Sequence, residues 1–81
     1  MLLLELIENL QLGREIEFHY NNDAFLVSYI PDSAPLQFFI WNGSKNVEIC
    51  RGDLNHILNF EFDKAVCLKN SLHRFSIDYI L

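Results

Sequence analysis

The stretch GREIEFHYNNDAFLVSYIP, Gly13 to Pro31, constrains what this chain can fold into more than any other segment. Ile16, Phe18 and Tyr20 alternate with Glu15, Glu17 and His19, Asn21-Asn22 interrupts, and Phe25 and Val27 resume the alternation. A period of two is the signature of a strand with one buried face. Adjacent asparagines tolerate the positive φ that a two-residue hairpin loop requires. Such a loop pairs Phe18 with Phe25 and Ile16 with Val27 on one face. Turn chemistry and periodicity therefore agree on a β-hairpin.

The segments on either side carry different periods. Leu3, Leu6, Ile7 and Leu10 fall at i, i+3, i+4 and i+7, with Glu5, Glu8, Asn9 and Gln11 between them, which predicts an amphipathic helix of about three turns. Gly13 sits where a left-handed residue would end that helix, and the early glutamates suit its positive end. Pro31-Asp32-Ser33-Ala34-Pro35 reads as a loop. A second hairpin follows, with LQFFIW and KNVEIC joined around Asn42-Gly43. A two-residue loop pairs Phe38 with Val47 and Leu36 with Ile49; a four-residue loop shifts partners by two and leaves the faces unchanged. Asp53 is a suitable N-cap for a second helix near 53–60, with Leu54, Ile57 and Leu58 as its apolar stripe. Residues 61–70 read equally as more helix or as a short buried strand. Phe75, Ile77 and Tyr79 alternate with Ser76 and Asp78 as a last strand. The expected fold is a single α+β domain, 1–81, with an antiparallel sheet of four to five strands and both helices packed on one face.

Composition bounds the function classes. The chain has 81 residues, 51% of them hydrophobic, 21% charged and 14% aromatic, which excludes disorder and low complexity. Its net charge of −5 is uneven. Residues 1–40 carry Glu5, Glu8, Glu15, Glu17, Asp23 and Asp32 against Arg14 alone, whereas acids and bases balance in residues 41–81. No basic cluster is present to neutralise phosphates, so nucleic acid is not an expected ligand. An acidic half could imitate nucleic acid toward a basic partner, although a solvated acidic surface explains it as well. MLLLELIENL has no basic n-region and is interrupted by Glu5 and Glu8, so it reads as neither signal peptide nor membrane span. The expectation is a cytoplasmic protein with Cys50 and Cys67 reduced.

No motif specifies a chemistry. Cys50-RGDLN-His56 and Cys67-LKNSL-His73 share one spacing, and two Cys with two His could hold zinc. Structural zinc sites, however, place paired ligands on tighter turns, so no metal or other cofactor is expected. Cys50 lies just before the second helix, where a thiol nucleophile could be activated, yet no oxyanion loop or third orienting group accompanies it. His19 and His56 read as surface residues. Arg51-Gly52-Asp53 is explained locally by a glycine preceding a capping aspartate. A small enzyme using Cys50 or a histidine is accordingly the alternative, and a structural or assembly protein a third class.

The second face of the sheet carries the functional expectation. With Ile16, Phe18, Phe25, Val27, Leu36, Phe38, Ile40, Val47 and Ile49 turned toward the helices, the opposite face holds Leu26, Phe39 and Trp41. Glu15, Glu17, His19, Gln37 and Glu48 surround them. A one-sided antiparallel sheet normally shows water a polar back, and an aromatic patch with a polar rim marks a contact site. Glu17, His19, Leu26, Phe39 and Trp41 are thus the candidate partner-binding residues. Cover by the C-terminal segment or the Pro31–Pro35 loop is the competing explanation.

Gly13-Arg14-Glu15-Ile16-Glu17-Phe18-His19-Tyr20 and the ending Ile77-Asp78-Tyr79-Ile80-Leu81 resemble small proteins of Gram-positive bacteria and their prophages. That family shares a leucine-rich first helix, a G-R-E-I-E-F-x-Y strand and an I-D-Y-I-L ending. The likeness covers about a quarter of the chain and implies no activity, only an accessory or inhibitor protein that binds a host protein. A homodimer through the Leu26, Phe39 and Trp41 face is also expected, because a small half-apolar chain carries more hydrophobic surface than one core encloses.

Overall fold

The leucine spacing at the N-terminus produces α1 (Leu3–Gln11), whose Leu6 and Leu10 are fully buried. Glu5 turns back to accept the Leu2 backbone N–H at 3.1 Å, supplying an otherwise missing partner at the helix start. Gly13 takes φ +79°, so that Arg14 N–H donates to the Asn9 carbonyl and Gly13 N–H to the Leu10 carbonyl, both at 3.1 Å. Those two bonds close a Schellman motif and satisfy the last carbonyls. Gly13 ends the helix as its sequence position implies.

The computed structural model describes Met1–Leu81 as an α+β fold. After α1 come β1 (Ile16–Tyr20), β2 (Asp23–Ile30), β3 (Gln37–Asn42), β4 (Val47–Gly52), α2 (Leu54–Asn59), α3 (Leu68–Ser71), a 3₁₀ turn (Leu72–Arg74) and β5 (Ser76–Ile80). The five strands form one antiparallel sheet in the order β4-β3-β2-β1-β5, so the last strand returns to lie beside the first. No helix is long and apolar enough to cross a membrane.

The first hairpin follows its sequence throughout. Phe18 pairs with Phe25 and Ile16 with Val27, while Asn21 and Asn22 take φ of +50° and +69°. The second departs from it. Asn42 pairs with Val47, so the loop is the four residues 43–46, partners shift by four rather than two, and the two-residue pairings, Phe38 with Val47 and Leu36 with Ile49, do not form. A bulge then follows, because Trp41 pairs with Glu48 but Ile40 with Cys50, leaving Ile49 as an extra residue. The longer turn leaves the faces unchanged, as its even shift requires, but the bulge beyond it reverses them: Cys50, 8% exposed, enters the core row beside Ile40. Leu36 and Val47, expected in the core, lie at the ends of the second hairpin and are 40% and 45% exposed. Asn42 is a buried strand residue that fastens both turns. Its Nδ2 donates to Asp23 at 3.1 Å and its Oδ1 accepts the Lys45 N–H at 2.9 Å.

The helices meet the sheet on one side only. Leu6, Leu10, Ile57, Leu58 and Leu68 join Ile16, Phe18, Phe25, Val27, Phe38 and Ile40 in one buried cluster. Phe62 packs its ring against Phe18, Tyr20, Phe25, Phe60 and Phe75, with centroids 5.0 to 6.2 Å apart. Edge-on aromatic packing of this kind adds to area burial. Residues 61–67 are neither helix nor strand. Ala65 at φ +58° makes a tight turn closed by the Asp63–Val66 bridge, and Glu61 accepts the Ala65 N–H at 2.9 Å. Asp53 caps α2 by accepting the His56 N–H at 2.8 Å. Gly52 is required beside it, since a Cβ there would lie 2.6 Å from the His56 ring and 2.9 Å from its Cβ.

Candidate functional site

Directly opposed residues of antiparallel strands share a face, so the register maps the side of the sheet away from the helices. One row crosses all five strands: Tyr79, Glu17, Leu26, Trp41 and Glu48. Ser28, Phe39 and Arg51 form the next, and His19 with Ala24 and Ser76 a third. Leu26, Phe39 and Trp41 are half-buried yet belong to neither the core cluster nor the side chains packed on it. The sequence-derived residues Glu17, His19, Leu26, Phe39 and Trp41 thus occupy one face. The C-terminal segment does not lie over them; it extends the sheet in its own plane as β5.

Two residues of this face were not legible in the sequence, and bulges deliver both. Alternation from Phe75 and Ile77 puts Tyr79 in the core. In the fold, Phe18 pairs with Ile77 but Glu17 with Tyr79, so Asp78 is an extra residue and Tyr79 swings to the helix-free face, 63% exposed. The extra Ile49 similarly places Arg51 on the same face as Glu48, where strict alternation would separate them. Arg51 then grips Glu48 with two hydrogen bonds, at 2.7 and 3.1 Å. The bonds from Arg51 hold the Glu48 carboxyl below its usual range and push the Arg51 guanidinium up. Asp78 accepts the His19 Nδ1–H, which ties β5 to β1 across the exposed side.

The chemical alternatives map elsewhere. Cys50 and Cys67 are both buried and free, whereas His56 and His73 are exposed. No three His, Cys, Asp or Glu side chains gather where they could hold a metal ion. Burial pushes the Cys50 thiol up, away from the thiolate that nucleophilic attack needs. The one groove, of about 340 Å³, is lined by Gln11, Leu36, Phe38, Asp53, Leu54 and Asn55 and contains no cysteine or histidine. Compared with protein-family models, curated proteins and solved structures, the chain gives no match.

Proposed function

We propose that this chain is a non-enzymatic protein-interaction module that engages its partner through the sheet face bearing Leu26, Phe39 and Trp41. The observation behind this reading is the one-sided cover of the sheet. The buried apolar residues of α1, α2 and α3 join a single cluster on one side, and the other side keeps a half-buried apolar patch outside that cluster. Aromatic residues at the centre of such a patch are the usual anchors of a protein contact. The resemblance to prophage-type proteins supplies the setting: a cytoplasmic accessory or inhibitor protein acting on a host protein. The enzymatic alternative has less to rest on, with Cys50 buried and no histidine among the residues that line the groove.

Affinity capture from the native cell, with wild-type protein and a Trp41→Ala control, tests the reading. A partner held by the wild type and lost by the variant is the expected result. Partners captured equally by both would remove this face from consideration.

A homodimer through the same face is the second reading, favoured by the additional apolar surface that Tyr79 contributes at the sheet edge. Light scattering across a dilution series decides it, since a monomer mass at every concentration excludes the dimer.

A further inference from the structure

The charges on the helix-free face narrow the kind of partner it fits. Glu48 is committed to Arg51, and Asp78 to His19. Glu17 is different. It stands between Leu26 and Tyr79 on the neighbouring strands, half-buried among them, and takes part in none of the chain's ion pairs. Glu15, whose carbonyl accepts the Leu81 N–H at 2.7 Å and so continues the β1–β5 ladder, has no ionic partner either. Arg51 is the only lysine or arginine on the face's paired rows and is already held by Glu48. The β1–β5 half is therefore acidic and unneutralised, and the β2–β3 half apolar.

Resting on the interaction-face reading above, we propose that the occupant is a basic protein segment. It sets apolar side chains over Leu26, Phe39 and Trp41 and a lysine or arginine on Glu17. An apolar partner would cover the Glu17 carboxylate with no counter-charge, and desolvating an unpaired charge offsets part of what the surrounding contact returns. A second copy fares no better, because its own face presents the same carboxylates and no free cation. A basic residue converts that cost into an ion pair in a partly dehydrated site, and the acidic margin draws a basic segment in before contact.

A random peptide library displayed on phage and selected against the immobilised full chain tests this, followed by titration of the enriched peptides as free synthetic probes. The expected peptides combine aromatic residues with lysine or arginine. Trp41→Ala should weaken them about thirtyfold or more, the loss typical of a central anchor. Glu17→Gln should weaken them about three- to tenfold, as one partly exposed ion pair does. Glu8→Gln removes the same charge from α1, on the other side of the sheet, and should leave binding unchanged. Peptides sensitive to Trp41→Ala but indifferent to Glu17→Gln and free of basic residues overturn the charge assignment alone. Binders indifferent to Trp41→Ala, or no binders at all, overturn the face as well. Equal losses from Glu8→Gln and Glu17→Gln would reduce the effect to net charge. A Trp41-dependent dimer that seals the face against the library would replace the basic partner with a second copy.

Discussion

The two faces of the sheet are built from the same kinds of side chain and have different fates. On one, Phe18 and Phe25 stack at 5.4 Å and are enclosed by Phe62, Phe75 and the helices. On the other, Leu26, Phe39 and Trp41 lie on the adjacent strands β2 and β3 and Tyr79 on β5, all outside the core cluster. Residue chemistry alone does not separate a core from a contact surface. The connections decide it: α1, α2 and the 60–75 segment all add their apolar residues to one side, and that side becomes the core.

The comparison breaks most sharply at Phe18. Phe18→Ala should lower unfolding stability by about 3–5 kcal/mol, as truncating an enclosed aromatic does; denaturant titration that finds under about 1 kcal/mol would mean the faces are reversed. Gly52→Ala should follow, at about 1–3 kcal/mol, because the added Cβ collides with His56 at the start of α2. A Gly52→Ala, His56→Ala double variant should recover only part of the loss, since the His56 Cβ itself lies 2.9 Å away. Trp41→Ala should cost about 1 kcal/mol or less, the worth of a cross-strand pair on an uncovered face. A loss as large as that of Phe18→Ala would show that the face is closed after all. The smallest change concerns chemistry rather than folding. Because burial raises the Cys50 thiol, a thiolate-selective reagent near neutral pH should label it slowly in the folded protein and at the ordinary rate in denaturant. Fast labelling of the folded chain would reopen the enzymatic reading.

The first hairpin shows what local chemistry can determine by itself. Asn21 and Asn22 admit the left-handed turn, the turn sets the register, and the alternation of Ile16, Phe18, Phe25 and Val27 agrees with it. The helix ended by Gly13 and the Asp53 cap are legible for the same reason, because each depends on residues within a turn or two of one another, and the α+β class follows from the order of these local elements. All five candidate face residues were legible too, because they lie at alternating positions within β1, β2 and β3.

What only the tertiary structure decided are the features of the two edge strands. Whether β4 admits an extra residue at Ile49, and β5 one at Asp78, depends on how each fits against a neighbour already in place. No local pattern in KNVEIC or FSIDYI marks either bulge. A single inserted residue reverses the faces beyond it, so Cys50 entered the core, and Arg51 and Tyr79 joined the helix-free face. Phe62 belongs to the same class. Its neighbours suit a continued helix, but four rings from elsewhere in the chain, Phe18, Tyr20, Phe25 and Phe75, hold it in a loop at the centre of the aromatic cluster. Period and turn chemistry are short-range and can be read along the chain, whereas bulges and loop anchors are settled by the packing of segments far apart in it.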